Sequence, residues 1–120
     1  NFRQQEPTHI MENVIYNELR MMGYTVDVGI VESREMKNGK SSYKQYEVDF
    51  IATNGCEKYY IQSAYELNNE EKRQQELRSL LKIDDSFKKI IIVGNDIASY
   101  TDNKGIQYMG LFQFLLEEKL

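Results

Sequence analysis

The run Ile90-Ile91-Ile92-Val93 constrains the fold more than any other stretch of these 120 residues. Successive side chains of an extended strand point to opposite faces, so four consecutive β-branched residues make both faces apolar. A strand of that kind has to be covered on both sides, which is the position of an interior strand in an α/β sheet. It is also the longest apolar run in the chain, and a membrane-spanning helix takes about 20 residues. No membrane partner is therefore expected.

The flanking segments supply the covering layers. Pro7-Thr8 predicts a helix start with Thr8 as N-cap. From His9 to Met22 the apolar residues Ile10, Met11, Val14, Ile15, Leu19 and Met22 recur at spacings of three and four, giving one broad inward face. Gly23 is placed to end that helix. Val26, Val28 and Ile30 alternate with polar or small residues and predict a strand. The polar segment 32–44, containing Asn38-Gly39, reads as a long turn or flexible loop. Runs 45–53 and 58–65 flank Asn54-Gly55 and predict a hairpin. A helix is expected from about Asn69 to Leu81 with Leu77, Leu80 and Leu81 inward. A strand over 106–109 follows the 90–93 strand, and a closing helix over 111–119 is expected to bury Phe112, Leu115 and Leu116. The order αβββαβ, then βα, is an α/β sandwich with a mixed sheet flanked by helices.

Length and composition agree with one domain over residues 1–120. Hydrophobic residues make up 41% and charged residues 28%, the balance of a globular chain. The first residue is Asn1, which suggests a piece of a longer polypeptide. No signal-peptide pattern opens the chain and a single cysteine, Cys56, suits a reducing compartment, so a cytoplasmic location is expected. The net charge of −4 and a pI near 5.1 argue against a surface coated with cations for nucleic acid. Lys37, Lys40 and Lys44, and Lys72, Arg73, Arg78 and Lys82, form two local groups, each interleaved with acids as on ordinary solvated surface. Gly39-Lys40-Ser41 lacks the upstream glycine, strand and helix of a phosphate-binding loop. His9 has no second histidine nearby and Cys56 no histidine partner, so neither reads as a ligand or a nucleophile.

The chemistry-bearing feature is the stretch "EVDFIATNGCEKYYIQSAY", residues 47–65. Asp49 is a carboxylate inside an otherwise apolar strand, with Val48, Phe50 and Ala52 expected on the opposite side from it. An unpaired buried carboxylate is costly, so Asp49 needs a cation, a donor or water. Gln62 lies in the neighbouring strand, also among apolar residues. The two could hold one hard cation such as Mg²⁺ with water completing its shell. From composition alone, a buried Asp–Gln hydrogen bond with no ion is the favoured alternative.

The spacing of Glu12, Asp49 and Gln62 resembles the PD-(D/E)XK nuclease superfamily, whose pattern is a helix glutamate, an aspartate, and Glu or Gln-x-Lys on the next strand. "ENVIYNELRMMGYTV" is similar to the first helix and strand of archaeal Holliday-junction resolvases, and "VDFIATNGCEKYYIQSAY" to their hairpin. A second likeness covers nearly the whole chain. "ENVIYNELRMMGYTVDVG", "EVDFIA", "YYIQSAYEL", "ELRSLLKIDDSFKKIIIV" and "GIQYMGLFQFLL" resemble the C-terminal nuclease-like domain of a prokaryotic AAA-type ATPase family.

The resemblance implies a restriction-endonuclease-like αβββαβ core and an ATPase module elsewhere in the same polypeptide as a partner. It also implies a catalytic and Mg²⁺ site at Glu12, Asp49 and Gln62. The superfamily lysine falls on Ala64, and Gln62 removes one negative charge, so the resemblance points to a vestigial site. Lys44, Lys72 and Arg73 are the cations that could stand in for the lysine or contact nucleic acid. Glu76 and Gln75 occupy positions where some members place an auxiliary polar residue; the alternative for both is a helix surface facing solvent. Two functions fit: a non-cleaving module that binds DNA, its ATPase or a second copy of itself, and an Mg²⁺-dependent DNA endonuclease.

Overall fold

The computed structural model describes residues 2–120, with side chains from Glu6 onward. Its elements are α1 (Phe2–Met21), β1 (Thr25–Lys37), β2 (Lys40–Asn54), β3 (Glu57–Ala64), α2 (Glu70–Leu81), β4 (Lys88–Val93), β5 (Tyr100–Thr101), β6 (Ile106–Gly110) and α3 (Leu111–Leu116). They build an α/β fold around a mixed six-stranded sheet of order β1-β2-β3-β4-β6-β5. The first three strands form an antiparallel meander, β3, β4 and β6 are parallel, and β5 adds an antiparallel edge. Helix α2 is the crossover that makes β3 and β4 parallel.

Strand β4 lies between its two parallel neighbours, and Ile90, Ile91 and Ile92 are completely buried. Ile90 and Ile92 pack with Met11, Ile15 and Leu19 of α1 and Phe114 of α3. Ile91 and Val93 pack with Leu77 and Leu80 of α2 and with Tyr108. The sheet is thus a middle layer, with α1 and α3 on one face and α2 on the other. Among the described residues, no helix is long and apolar enough to cross a membrane.

Helix ends follow local chemistry. Gly23, at φ +98°, terminates α1, with Tyr24 N–H donating to Leu19 O and Gly23 N–H to Arg20 O. That pair of bonds is a Schellman cap. At the start of α2, the Asn69 carboxamide oxygen accepts the Lys72 N–H at 2.8 Å, which makes Asn69 the N-cap.

Six local expectations are corrected. Thr8 is not an N-cap, because α1 runs back to Phe2 and Pro7 sits within the helix. Ile10 is 56% exposed and faces a cavity of about 400 Å³ lined also by Met11, Val14, Tyr65, Gly94 and Leu111. Residues 32–44 are not a loop: β1 and β2 pair continuously out to Lys37↔Lys40. The turn between them is Asn38-Gly39, both at positive φ (54° and 73°), the signature of a type I′ hairpin. In α3 the buried residue is Phe114, whereas Phe112 and Leu116 are exposed, and Leu81 of α2 also faces outward. Finally, Val48 does not share a face with Phe50 and Ala52: it packs under α2, and they pack under α1.

Candidate functional site

The switch of face between Val48 and Phe50 comes from a β-bulge. Asp27 pairs with Ile51 but Gly29 pairs with Val48, so two β2 residues, Asp49 and Phe50, stand opposite one β1 residue, Val28. A bulge bends the strand and re-aims one side chain. Gly29 beside it leaves room for the Ile51 side chain, whose Cδ1 would lie 2.4 Å from a Cβ at that position. At the same point β2 leaves β3, whose ladder to β2 ends at Phe50↔Ile61. Backbone groups at Asp49, Gln62 and Ser63 therefore need other partners.

Side chains supply them. Asp49 N–H donates to Gln62 Oε1 at 2.7 Å. Ser63 donates to Asp49 Oδ2 twice, from N–H at 2.9 Å and from Oγ at 3.2 Å. Gln62 Nε2 reaches the Glu76 carbonyl of α2 at 3.4 Å. Asp49 and Gln62 thus do interact, but through side chain to backbone on each strand and not carboxylate to carboxamide. Ser63 was not foreseen; its one sequence signal is a second polar residue beside Gln62 in an apolar strand.

Glu12 of α1 and Glu76 of α2 approach Asp49 from the two helical layers. Burial pushes the Glu76 carboxyl up to about 7, with the charges of Asp49 and Glu12 adding to the effect and Lys72 opposing it. Burial likewise raises Glu12, with Asp49 and Glu47 adding to it and His9, 3.9 Å away, opposing. Asp49 is raised by burial, against which both Ser63 hydrogen bonds act. Glu76 is consequently part of the site and not solvent-facing helix surface.

Ala64, where the resemblance puts the lysine, is 3% exposed and packed in the apolar cluster beneath α2. The three cations considered as substitutes do not converge. Lys72 lies near enough to Glu76 to lower its pKa. Arg73 stacks over Tyr108 at 5.1 Å, and Lys44 lies over Tyr46 at 5.4 Å.

The donor set does not fit a divalent cation as it stands. The Gln62 oxygen is turned onto a backbone N–H and Asp49 Oδ2 already accepts two hydrogen bonds. Among the described residues no three His, Cys, Asp or Glu side chains are gathered closely enough to share an ion. Burial and mutual repulsion raise all three carboxyls, so gathering them here disfavours their charged forms.

No family model matches the chain, and no solved structure matches it. Over 107 residues it is 34% identical to an uncharacterized protein of Haemophilus influenzae. The match covers 89% of this chain and 23% of that protein.

Proposed function

We propose that this chain is a restriction-endonuclease-like module of a prokaryotic AAA-type ATPase that holds a nucleic-acid or protein partner without cleaving it. The observation that carries the reading is the state of the would-be catalytic groups. Gln62 is spent on the Asp49 backbone, and the lysine position is a buried alanine inside an apolar cluster. A metal-dependent hydrolase needs open ligands and a group to position the attacking water. Here the same positions serve to close a gap in the sheet. The αβββαβ order with Asp49 at the split between two strands supports the fold assignment. The relative's greater length supports a module within a larger polypeptide.

The test is a cleavage assay on plasmid and branched DNA in Mg²⁺ or Mn²⁺, comparing the unaltered chain with Asp49→Ala. No cleavage by either protein is expected. Cleavage by the unaltered chain that Asp49→Ala abolishes would replace this reading with the endonuclease.

A further inference from the structure

The hairpin of β1 and β2 extends past the rest of the sheet. β2 residues 40–49 have β1 as their sheet partner but no β3 partner; Tyr46 and Val48 are buried against the body, and beyond them about 20 Å of two-stranded ribbon projects. Residues 40–45 are exposed throughout. A free apolar ribbon would invite edge-to-edge pairing; this one is mostly polar and charged, with Met36 and Tyr43 exposed on the face away from the lysines.

Its charges are sorted by face. Register puts Ser33, Glu35 and Lys37 of β1 on the same side as Lys40, Ser42, Lys44 and Tyr46 of β2. Glu32, Arg34 and Glu47 fall on the opposite side, which is net negative by one charge. The Lys-bearing side is continuous with one flank of α2: Lys82 lies 5.7 Å from the Tyr46 ring and 3.5 Å from Glu35, and Arg78 also faces Tyr46. The sole acid among these groups, Glu35, is matched by the Tyr46 hydroxyl at 2.6 Å and by Lys82. Lys37, Lys40, Lys44, Arg78 and Lys82 against Glu35 leave four net positive charges in one corner. Since the whole chain carries −4, everything outside that corner carries eight net negative charges.

We infer that this corner binds double-stranded DNA, with the β1–β2 ribbon lying in the major groove and the lysines and arginine on the flanking phosphates. The inference rests on the binding role proposed above and names its partner, and it places that partner on a surface separate from Asp49. The major groove, about 12 Å wide, admits a two-stranded ribbon. From Lys40 to Tyr46 the corner runs about 20 Å, over which one strand of a duplex presents roughly six phosphates. Duplex RNA fits less well, because its major groove is deep and narrow. Asn38 at the tip and Ser33 and Ser42 on the lysine-bearing side add polar groups to its charge. The excess of acids over the rest of the chain also favours one orientation, because that surface is net negative and repels phosphate.

The experiment is fluorescence anisotropy with a labelled 20-base-pair DNA duplex, titrated at several salt concentrations without divalent metal. Four phosphate contacts predict a loss of affinity of roughly 100-fold between 50 and 200 mM salt. Lys40→Glu combined with Lys44→Glu, both on exposed strand positions, is expected to weaken binding at least 10-fold and flatten the salt slope. Its thermal unfolding is expected to stay unchanged. Asp49→Ala is expected to bind as the unaltered chain does. Absence of binding at 50 mM salt, or equal affinity of the double variant, would overturn the inference. So would a result in which the double variant abolishes self-association in sedimentation while neither protein binds DNA; the occupant is then a second copy. Cleavage of the same duplex on adding Mg²⁺ would sink the non-cleaving reading alone and leave the binding surface standing.

Discussion

Glu76→Gln isolates the electrostatics of the site. The substitution keeps the size and shape of the side chain and removes its ability to ionise. In the folded protein Glu76 titrates at about 7, against an ordinary value of 4.5, because it is partly buried and faces Asp49 and Glu12. A raised acid binds more protons when folded than when unfolded. Its contribution to stability is therefore complete at low pH and is lost as pH climbs from about 4.5 through 7. Asp49 and Glu12 are shifted in the same direction, so their contributions have the same sign. Lys72 works against the trend and limits it.

Each pH unit of displacement is worth ~1.4 kcal/mol, which sets a ceiling of ~3 kcal/mol for Glu76. Partial contact with solvent screens the group, and roughly 1–2 kcal/mol is the expected net effect. Urea denaturation of both proteins at pH 5 and pH 8 measures it. The stability advantage of Glu76→Gln should widen by that amount between the two pH values, equivalent to about 4–8 °C in melting temperature for a chain this long. An advantage that is the same at pH 5 and pH 8 would refute the burial argument. A less stable variant at pH 8 would show instead that the charged carboxylate has a partner the geometry does not reveal.

Two further substitutions probe the frame around the site. Asp49→Ala leaves the Ser63 N–H without its acceptor at the split between β2 and β3, and should cost about 1–3 kcal/mol by urea denaturation; an unchanged midpoint would mean water replaces the carboxylate freely. Gly94→Ala would put a Cβ 2.5 Å from the Tyr65 carbonyl oxygen, where Gly94 N–H donates to Ala64 O, and should cost about 1–3 kcal/mol with a lowered melting temperature; a neutral result would mean that the ends of β3 and β4 are free to part.

The layered α/β arrangement was legible because it follows from burial demands that the sequence states directly. Ile90–Val93 can be satisfied only between two helical layers, and Gly23 and Asn69 mark helix ends by chemistry that acts within a few residues. The ribbon was illegible for a related reason. Residues 32–44 touch no core, so they carry no apolar alternation, and a two-stranded arm reads as a loop. The Asn38-Gly39 turn was the available signal; its polar flanks concealed it. Phe112 and Leu116 misled because a six-residue helix contains too few turns to fix its phase. The bulge at Asp49 has no sequence mark of its own, and it inverts the expected faces of everything before it on β2.

The site shows how far residue identity can be separated from role. Asp49 and Gln62 were visible as polar residues where apolar ones belong, and Glu12 and Glu76 as acids on the flanking helices. What could not be read was how each spends its hydrogen-bonding capacity. That depends on the bulge, because only where β2 peels away from β3 do Asp49 N–H and Ser63 N–H require side-chain acceptors. Once those demands are met, the carboxyls that remain face one another across the sheet with Ala64 buried below and Lys72 the cation that lowers the Glu76 pKa. The raised Glu76 pKa, about 7, lets that carboxyl exchange a proton near neutral pH. Adding a lysine at position 64 would not by itself undo this, because a buried methyl is packed against Leu77 and Val93 and the larger side chain would have to displace them. A metal-ready site would require Gln62 to release the Asp49 N–H as well, so a lysine at position 64 alone would not create one.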